Sequence, residues 1–305
     1  MRLLLVAFSI ICFSVQLIAQ NASSSTILFD AEWRYHRGGA QRAENPDFDD
    51  SVWRLLDLPH DWSIEDLPGT SSPYDREAIS QVNGGFTTGG TGWYRKSFTL
   101  PVADKGKRVI IQFDGVYMNA EVWLNGKSLG ANPYGYSSFW YDLTDNINFG
   151  NNNVIAVKVR NEGENSRWYS GSGIYRHVWL KLLNPVLVAL WGTSSTSSEI
   201  NANSAKVNIS LKVNNQSKST LNVKVVSRII NTNGVVSGKK ESEQTIVSEG
   251  VTGYNQELIV TNPKLWDIES PSLFNAINEV YVNGEMVDRI ETKFGIRTIQ
   301  FDVVN

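Results

Sequence analysis

A chain of 305 residues in which 28 Lys and Arg face 31 Asp and Glu carries a formal net charge of −3, and no basic run interrupts it. That balance argues against nucleic acid and anionic membrane surfaces as partners, since both are bound through concentrated positive charge. The single cysteine, Cys12, leaves the rest of the chain without a thiol for a disulfide, a thiolate metal site or a cysteine nucleophile.

Residues 1–20, "MRLLLVAFSIICFSVQLIAQ", put one Arg ahead of an apolar run that closes on the small residue Ala19. This is the layout of a secretory signal peptide, and it predicts export to the periplasm or medium, with no membrane attachment after cleavage. The remaining length suggests two domains. "RVIIQF" (108–113), "AEVWLNGKSLG" (120–130) and "NVIAVKVRN" (153–161) read as short strands bounded by Asn, Gly and Asp. Asn125-Gly126 is a two-residue hairpin signal. Regularly spaced strands of this kind predict an all-β antiparallel sandwich over residues 26–185.

The stretch "NSRWYSGSGIYRHVWL" (165–180) gathers aromatic and basic residues around two glycines. Gly171 and Gly173 suit a tight turn or a close backbone approach. After them, Val178 and Leu180 alternate with Trp179 and Lys181 as in a strand, and Arg176 is expected to satisfy buried carbonyls at a sandwich corner. Arg167, Trp168 and Tyr169 precede the turn. There, an indole offers a stacking surface for a sugar and Arg offers paired donors to hydroxyls. Tyr134 and Tyr136 in "PYGYSSF" form a second aromatic loop.

A break falls near Pro185, followed by a second run of strands over residues 186–298. Val207, Ile209, Leu211 and Val213 alternate with polar residues, which predicts a half-buried edge of a sheet. "LNVKVVSRII", "NQELIV" and "NEVYVNGEMVDRI" continue the pattern, the last with a second Asn-Gly hairpin at 283–284. Some seven strands without a disulfide predict an immunoglobulin-like sandwich with an aliphatic core.

Acid pairs are few. Asp49-Asp50 lies in a turn, where short acidic side chains accept backbone N–H groups. His60-Asp61 in "LPHDWS" suggests a dyad, but neighbours on an extended segment point to opposite faces. A structural or interdomain role is expected for both residues. No Gly-x-Ser-x-Gly or His-Glu-x-x-His motif accompanies them.

Several segments together resemble the front part of glycoside hydrolase family 2, its β-galactosidase-like members in particular. They are "NPDFDDSVWRLLDLPHDWSIE" (45–65), "GGTGWYRKSFTLP" (89–101), "FDGVYMNAEVWLNGKSLG" (113–130), "PYGYSSFWYDLT" (133–144), "NPKLWDIESPSLF" (262–274) and "FGIRTIQFD" (294–302), with the 165–180 stretch among them. The resemblance implies a jelly-roll sugar-binding domain, an immunoglobulin-like domain and then a (β/α)8 barrel bearing two catalytic glutamates. Retaining hydrolysis places such acids about 5–5.5 Å apart. The sequence reaches Asn305 about where the barrel's first strand is expected, so residues 299–305 read as a linker stub and no catalytic residue is expected. Two family positions that touch bound sugar fall here on Gly89 or Gly90 and on Ser166, with Arg167 a candidate replacement. His60, Asp61, Tyr134 and Tyr136 become candidates for facing the barrel or another domain. No metal or cofactor is implied. The expected partners are a β-galactoside and either the barrel or an oligomer partner. The reading is thus a non-catalytic portion of a secreted β-galactosidase. The alternatives are a free-standing carbohydrate-binding module using Trp168, Tyr169, Tyr134 and Tyr136, or an adhesin-like pair of β-domains.

Overall fold

The computed structural model describes residues 24–164 and 170–301. The first domain runs through β1 (Ser25–Leu28), β2 (Trp33–Arg37), β3 (Arg54–Leu56), β4 (Gly90–Thr99), β5 (Arg108–Phe113), β6 (Ala120–Leu124), β7 (Lys127–Asn132), β8 (Phe139–Asp142), β9 (Asn152–Asn161) and β10 (Val178–Leu183). They form two antiparallel sheets, β1-β10-β5-β8 and β3-β2-β4-β9-β6-β7, packed face to face as a jelly-roll sandwich. Alternation explains the packing: Val109, Ile111 and Phe113 of β5 point inward against Ile155, Val157 and Val159 of β9, with Trp33 and Trp62 in the same core. Asn125 and Gly126 take φ of 52° and 82° and close the β6–β7 hairpin. The Asn125 side chain also accepts from Val154 N at 2.9 Å and donates to Asn146 O at 2.9 Å, so the turn is fastened to the neighbouring strand.

Buried carbonyls are satisfied by an arginine other than the one expected. Arg176 is exposed. Arg95 of β4, only 1% exposed, donates to the carbonyls of Ala43 and Asn45 and binds the Asp50 carboxylate at 2.8 Å. It staples the 38–53 loop onto the outer face of the six-stranded sheet, where Ala43, Trp53 and Trp93 pack together. Asp49 behaves as a turn residue, accepting from Ser51 N at 3.0 Å.

The second domain holds β11 (Val186–Ser198), β12 (Ser204–Asn215), β13 (Leu221–Ile230), β14 (Val236–Ile246), β15 (Gly250–Thr261), β16 (Phe274–Val282) and β17 (Glu285–Phe294). Its sheets, β11-β12-β15 and β14-β13-β16-β17, make an immunoglobulin-like sandwich around an aliphatic core. Val207, Ile209, Leu211 and Val213 are buried, but β12 lies between β11 and β15 and is not an edge. Alternation reports that one face is covered and is silent about neighbours in the sheet plane. Tyr254 Oη and Gln256 Nε2 donate across the sandwich to the carbonyls of Val223 and Val225 at 2.8 and 3.2 Å.

The domains meet without a long linker. Ile110 and Leu183 of the first pack on Leu187 and Leu190 of the second. Asn184 Nδ2 donates to Val287 O at 2.5 Å, and Val188 N donates to Asp288 Oδ2 at 2.8 Å. Burial pushes the Asp288 carboxyl above its ordinary value, against the hydrogen bond from Val188 N.

Arg95→Met leaves buried carbonyls and a carboxylate unpaired and is expected to cost about 3 kcal/mol. Arg176→Met is expected to cost less than about 0.5 kcal/mol, as for an exposed site. Urea unfolding of the two variants at one pH makes the comparison; equal midpoints refute the staple.

Candidate functional site at one end of the first sandwich

Three distant segments are knitted together at one end of the jelly roll. His60 N donates to Ile174 O at 2.8 Å and Trp62 N to Ser172 O at 2.9 Å, so the 60–62 and 172–174 backbones run paired. Tyr117 and Gly173 exchange two backbone hydrogen bonds, each of 2.9 Å. Trp62 is fully buried, and its Nε1 donates to Gly89 O at 3.1 Å. The glycines here are demanded by contact. A Cβ on Gly92 would lie 2.5 Å from the Trp62 ring. One on Gly173, which takes φ of +134°, would lie 2.4 Å from Tyr94 Oη and 2.6 Å from His60 O.

Asp61 caps the single turn Trp62–Ile64 by accepting from Ser63 N at 2.9 Å, and the same oxygen accepts from Ser172 N at 2.7 Å. From the other side, Asn161 Nδ2 donates to Ser172 Oγ at 2.8 Å and Gly171 O at 3.2 Å. Ser172, the start of the paired segment, is therefore held by two buried polar side chains.

His60 points elsewhere. Its Nδ1 lies 2.7 Å from Tyr94 Oη, and its Nε2 lies 3.0 Å from Glu65 Oε1 and 2.8 Å from Arg54 Nη2. Arg54 binds Glu65 through both nitrogens and sits 5.3 Å above the Tyr35 ring. Burial pushes the His60 imidazole down from its ordinary value, against the pull of the Glu65 carboxylate. Burial pushes Glu65 up, but hydrogen bonds from Arg54 and His60 outweigh it and hold the carboxyl low. Burial raises the Tyr94 and Tyr35 phenols. A low-pKa imidazole engaged at both nitrogens serves position. His60 and Asp61 thus belong to separate networks, and the partners named for them, Tyr94, Glu65, Arg54, Ser63 and Ser172, all lie in the first sandwich.

Beside this framework opens a cleft of about 290 Å³ lined by Arg37, Asp75, Glu77, Gly90, Asn161 and Glu162, among others. Gly90 and Asn161 are register partners at the ends of β4 and β9. Nothing lies within 4 Å of where a Gly90 Cβ would stand. Glu162 Oε1 accepts from Thr91 Oγ1 at 2.6 Å, and Asp75 Oδ1 accepts from Glu77 N at 2.9 Å. A guanidinium and carboxylates around a shallow opening suit hydroxyl groups. Ser166, Arg167, Trp168 and Tyr169 lie outside the described residues, between Glu164 and Ser170. Tyr134 and Tyr136 stand exposed at this end of the sandwich, Tyr136 edge-on to Tyr117 with centroids 5.4 Å apart. Tyr175 Oη anchors their loop by donating to Gly135 O at 2.8 Å. Among the described residues no three His, Cys, Asp or Glu side chains gather to hold a metal ion.

A jelly roll packed against an immunoglobulin-like sandwich, with a cleft at one end of the first, defines a tandem β-sandwich protein. The model of the sugar-binding domain of glycosyl hydrolases family 2 matches residues 74–184, and the model described as glycosyl hydrolases family 2 matches residues 189–297. The chain belongs to glycoside hydrolase family 2. It is 44% identical to the β-galactosidase BoGH2A of Bacteroides ovatus over 95% of its own length and 33% of that protein's. It is 27% identical to a β-glucuronidase of Formosa agariphila over 93% of its own length and 31% of that protein's. A solved family 2 member from Bacteroides cellulosilyticus superposes with a TM-score of 0.87 at 43% identity, covering 90% of this chain and 36% of the other. The chain thus spans about a third of the length of the relatives it matches.

Asp61→Ala removes a cap and the acceptor for Ser172 N and is expected to cost about 2–3 kcal/mol, whereas Asp61→Asn, which keeps an acceptor oxygen, costs less. Limited proteolysis should cut Asp61→Ala faster near residue 170 than the parent; identical cutting refutes the clamp. The His60 environment also sets a pH dependence. The unfolded chain takes up the proton near pH 6.5 while the folded chain resists it, so stability falls as pH drops from about 7 to 5. Glu65, held low, adds a loss of the same sign below about pH 4.5. Urea titrations across this range should show a shallower slope between pH 7 and 5 in His60→Asn.

Proposed function

We propose that this chain is the non-catalytic N-terminal portion of an exported family 2 β-galactosidase, with its first sandwich supplying a rim to a sugar pocket that the enzyme's catalytic part completes. The observation that carries this reading is the 44% identity to a β-galactosidase of which the chain spans 33%. The chemistry of the acids supports it. Asp50 is tied to buried Arg95, Asp61 caps a turn and holds Ser172, and Asp57 accepts from Glu32 N. In the cleft, Asp75 and Glu162 are likewise engaged by a backbone N–H and a hydroxyl. An acid and a nucleophile facing each other across one glycosidic bond do not emerge from these placements. At Gly89 or Gly90 the rim presents backbone at the position where the family resemblance implies an Asn side chain. The resulting sugar contact is weaker. Export rests on the leader-like residues 1–20.

The purified 305-residue chain, incubated with an aryl β-galactoside, is expected to release no phenol above a buffer blank. Turnover that scales with chain concentration and survives repurification refutes the non-catalytic reading.

A further inference from the structure

We propose that the outer face of the β1-β10-β5-β8 sheet is a binding platform for a neutral, β-linked polysaccharide chain, separate from the cleft beside Gly90. The register puts Leu28, Trp179, Gln112 and Trp140 directly opposite one another on the four strands. Opposed residues of antiparallel strands share a face. Their sequence neighbours Val178, Leu180, Ile111 and Phe113 are in the core, so this row points outward. Trp140 is 40% exposed and Trp179 is half-buried. With only β5 between their strands, the two indoles stand two strand spacings apart, about 10 Å.

The row is held in place. Asp114 accepts from Gln112 Nε2 at 2.8 Å through one oxygen and from Trp179 Nε1 at 2.7 Å through the other. His177 leans edge-on to Trp179 at 5.8 Å, and buried Asp30 orients it through Nδ1 at 2.6 Å. Among the described residues Gln112 Oε1 and His177 Nε2 keep no hydrogen-bond partner. The adjoining row is already used. Its Ile110 is covered by Leu183, Leu187 and Leu190, and Asp142 pairs with Arg108. The second domain therefore occupies one half of this face and leaves the tryptophan row open beside it.

The chemistry of the row selects the ligand. Two indoles flank an amide, with a carboxylate and an imidazole beside Trp179, and this combination suits pyranose rings, whose C–H faces stack on aromatics while their hydroxyls meet polar groups. A protein partner calls for a larger dry patch with a charge-depleted centre. Arg108 is paired with Asp142, and Lys181 stands in the field of Asp114 and Asp288, so the cations of this face are already balanced and offer little to attract an anion. Fixing the indole and the amide beforehand lowers the ordering cost of binding. A β-linked chain that is equatorial at both linkage carbons, as in β-1,4-linked glucose, runs as a flat ribbon and presents successive rings to one surface, whereas the 1,6-linked rings of dextran hold no such ribbon. The inference stands independently of the β-galactosidase reading, because it concerns affinity at a row that shares no residue with the cleft lining.

The test titrates the full chain with hexasaccharides of β-1,4-linked galactose and of β-1,4-linked glucose, with dextran as the α-linked control, by calorimetry and tryptophan fluorescence. At least one β-linked hexasaccharide is expected to bind. Trp140→Ala is expected to weaken that binding about tenfold or more with the unfolding midpoint unchanged. Gln112→Ala should weaken it less. Flat titrations at millimolar hexasaccharide, unchanged affinity in both variants, or equal binding of dextran overturn the proposal. So does a dimer in sedimentation that Trp140→Ala converts to monomer, since the face then belongs to a second copy of the chain.

Discussion

Trp62 fills the volume that Gly92 and Gly173 leave open, and the end of the first sandwich is arranged around that contact. Its ring would meet a Cβ on Gly92 at 2.5 Å, and its Nε1 reaches the Gly89 carbonyl at 3.1 Å. An indole this enclosed is worth about 3–5 kcal/mol against truncation. It also sets position, because β4, the 60–62 segment and the 172–174 segment can close on it in only one arrangement. The cleft residues Gly90 and Asn161 sit one or two positions away from these contacts, so the cleft inherits its geometry from the core.

Around the indole, polar side chains are tied to distant segments, while the hydroxyl of Tyr35, stacked on Trp62, stays unpaired among the described residues. Asp61 and Asn161 reach Ser172 from opposite sides, and His60 is engaged by Tyr94, Glu65 and Arg54. Buried polar groups are costly unless paired, and the pairing fixes one arrangement among many of similar hydrophobic content. In the second domain, where Tyr254, Gln256 and Asn215 are among the polar ties between the sheets, aliphatic packing does most of this work. The contrast follows from what each must hold: irregular segments in the first domain, continuous strands in the second.

Features written in local spacing were legible from sequence. The strands at 108–113 and 153–161, both Asn-Gly hairpins and the inward residues of β12 follow from alternation and turn chemistry alone. Contacts between distant segments were not. Asp61 and Ser172 are separated by 111 residues, and nothing within "LPHDWS" names the serine it holds. Sequence spacing pointed to Arg176 to meet carbonyls and gave Arg95 no role; the 38–53 loop assigns that role to Arg95 by lying over it. β12 was misplaced at an edge because a period of two describes faces and not lateral neighbours. The irregular 64–88 excursion that contributes Asp75 and Glu77 to the cleft has neither a strand nor a helix period to read.

The four-stranded sheet shows how one surface serves two purposes. Along β5, Ile110 and Gln112 point the same way one pleat apart, yet Ile110 is sealed under Leu187 and Leu190 while Gln112 stands between two indoles. Lys181, the half-buried β10 residue opposite Ile110, lies between the dry and open halves. Burial lowers its ammonium pKa, while Asp114 on the open side and Asp288 on the domain-junction side pull it back up. Lys181 thus feels both the carboxylate that fixes the tryptophan row and the carboxylate that receives Val188 N at the domain junction.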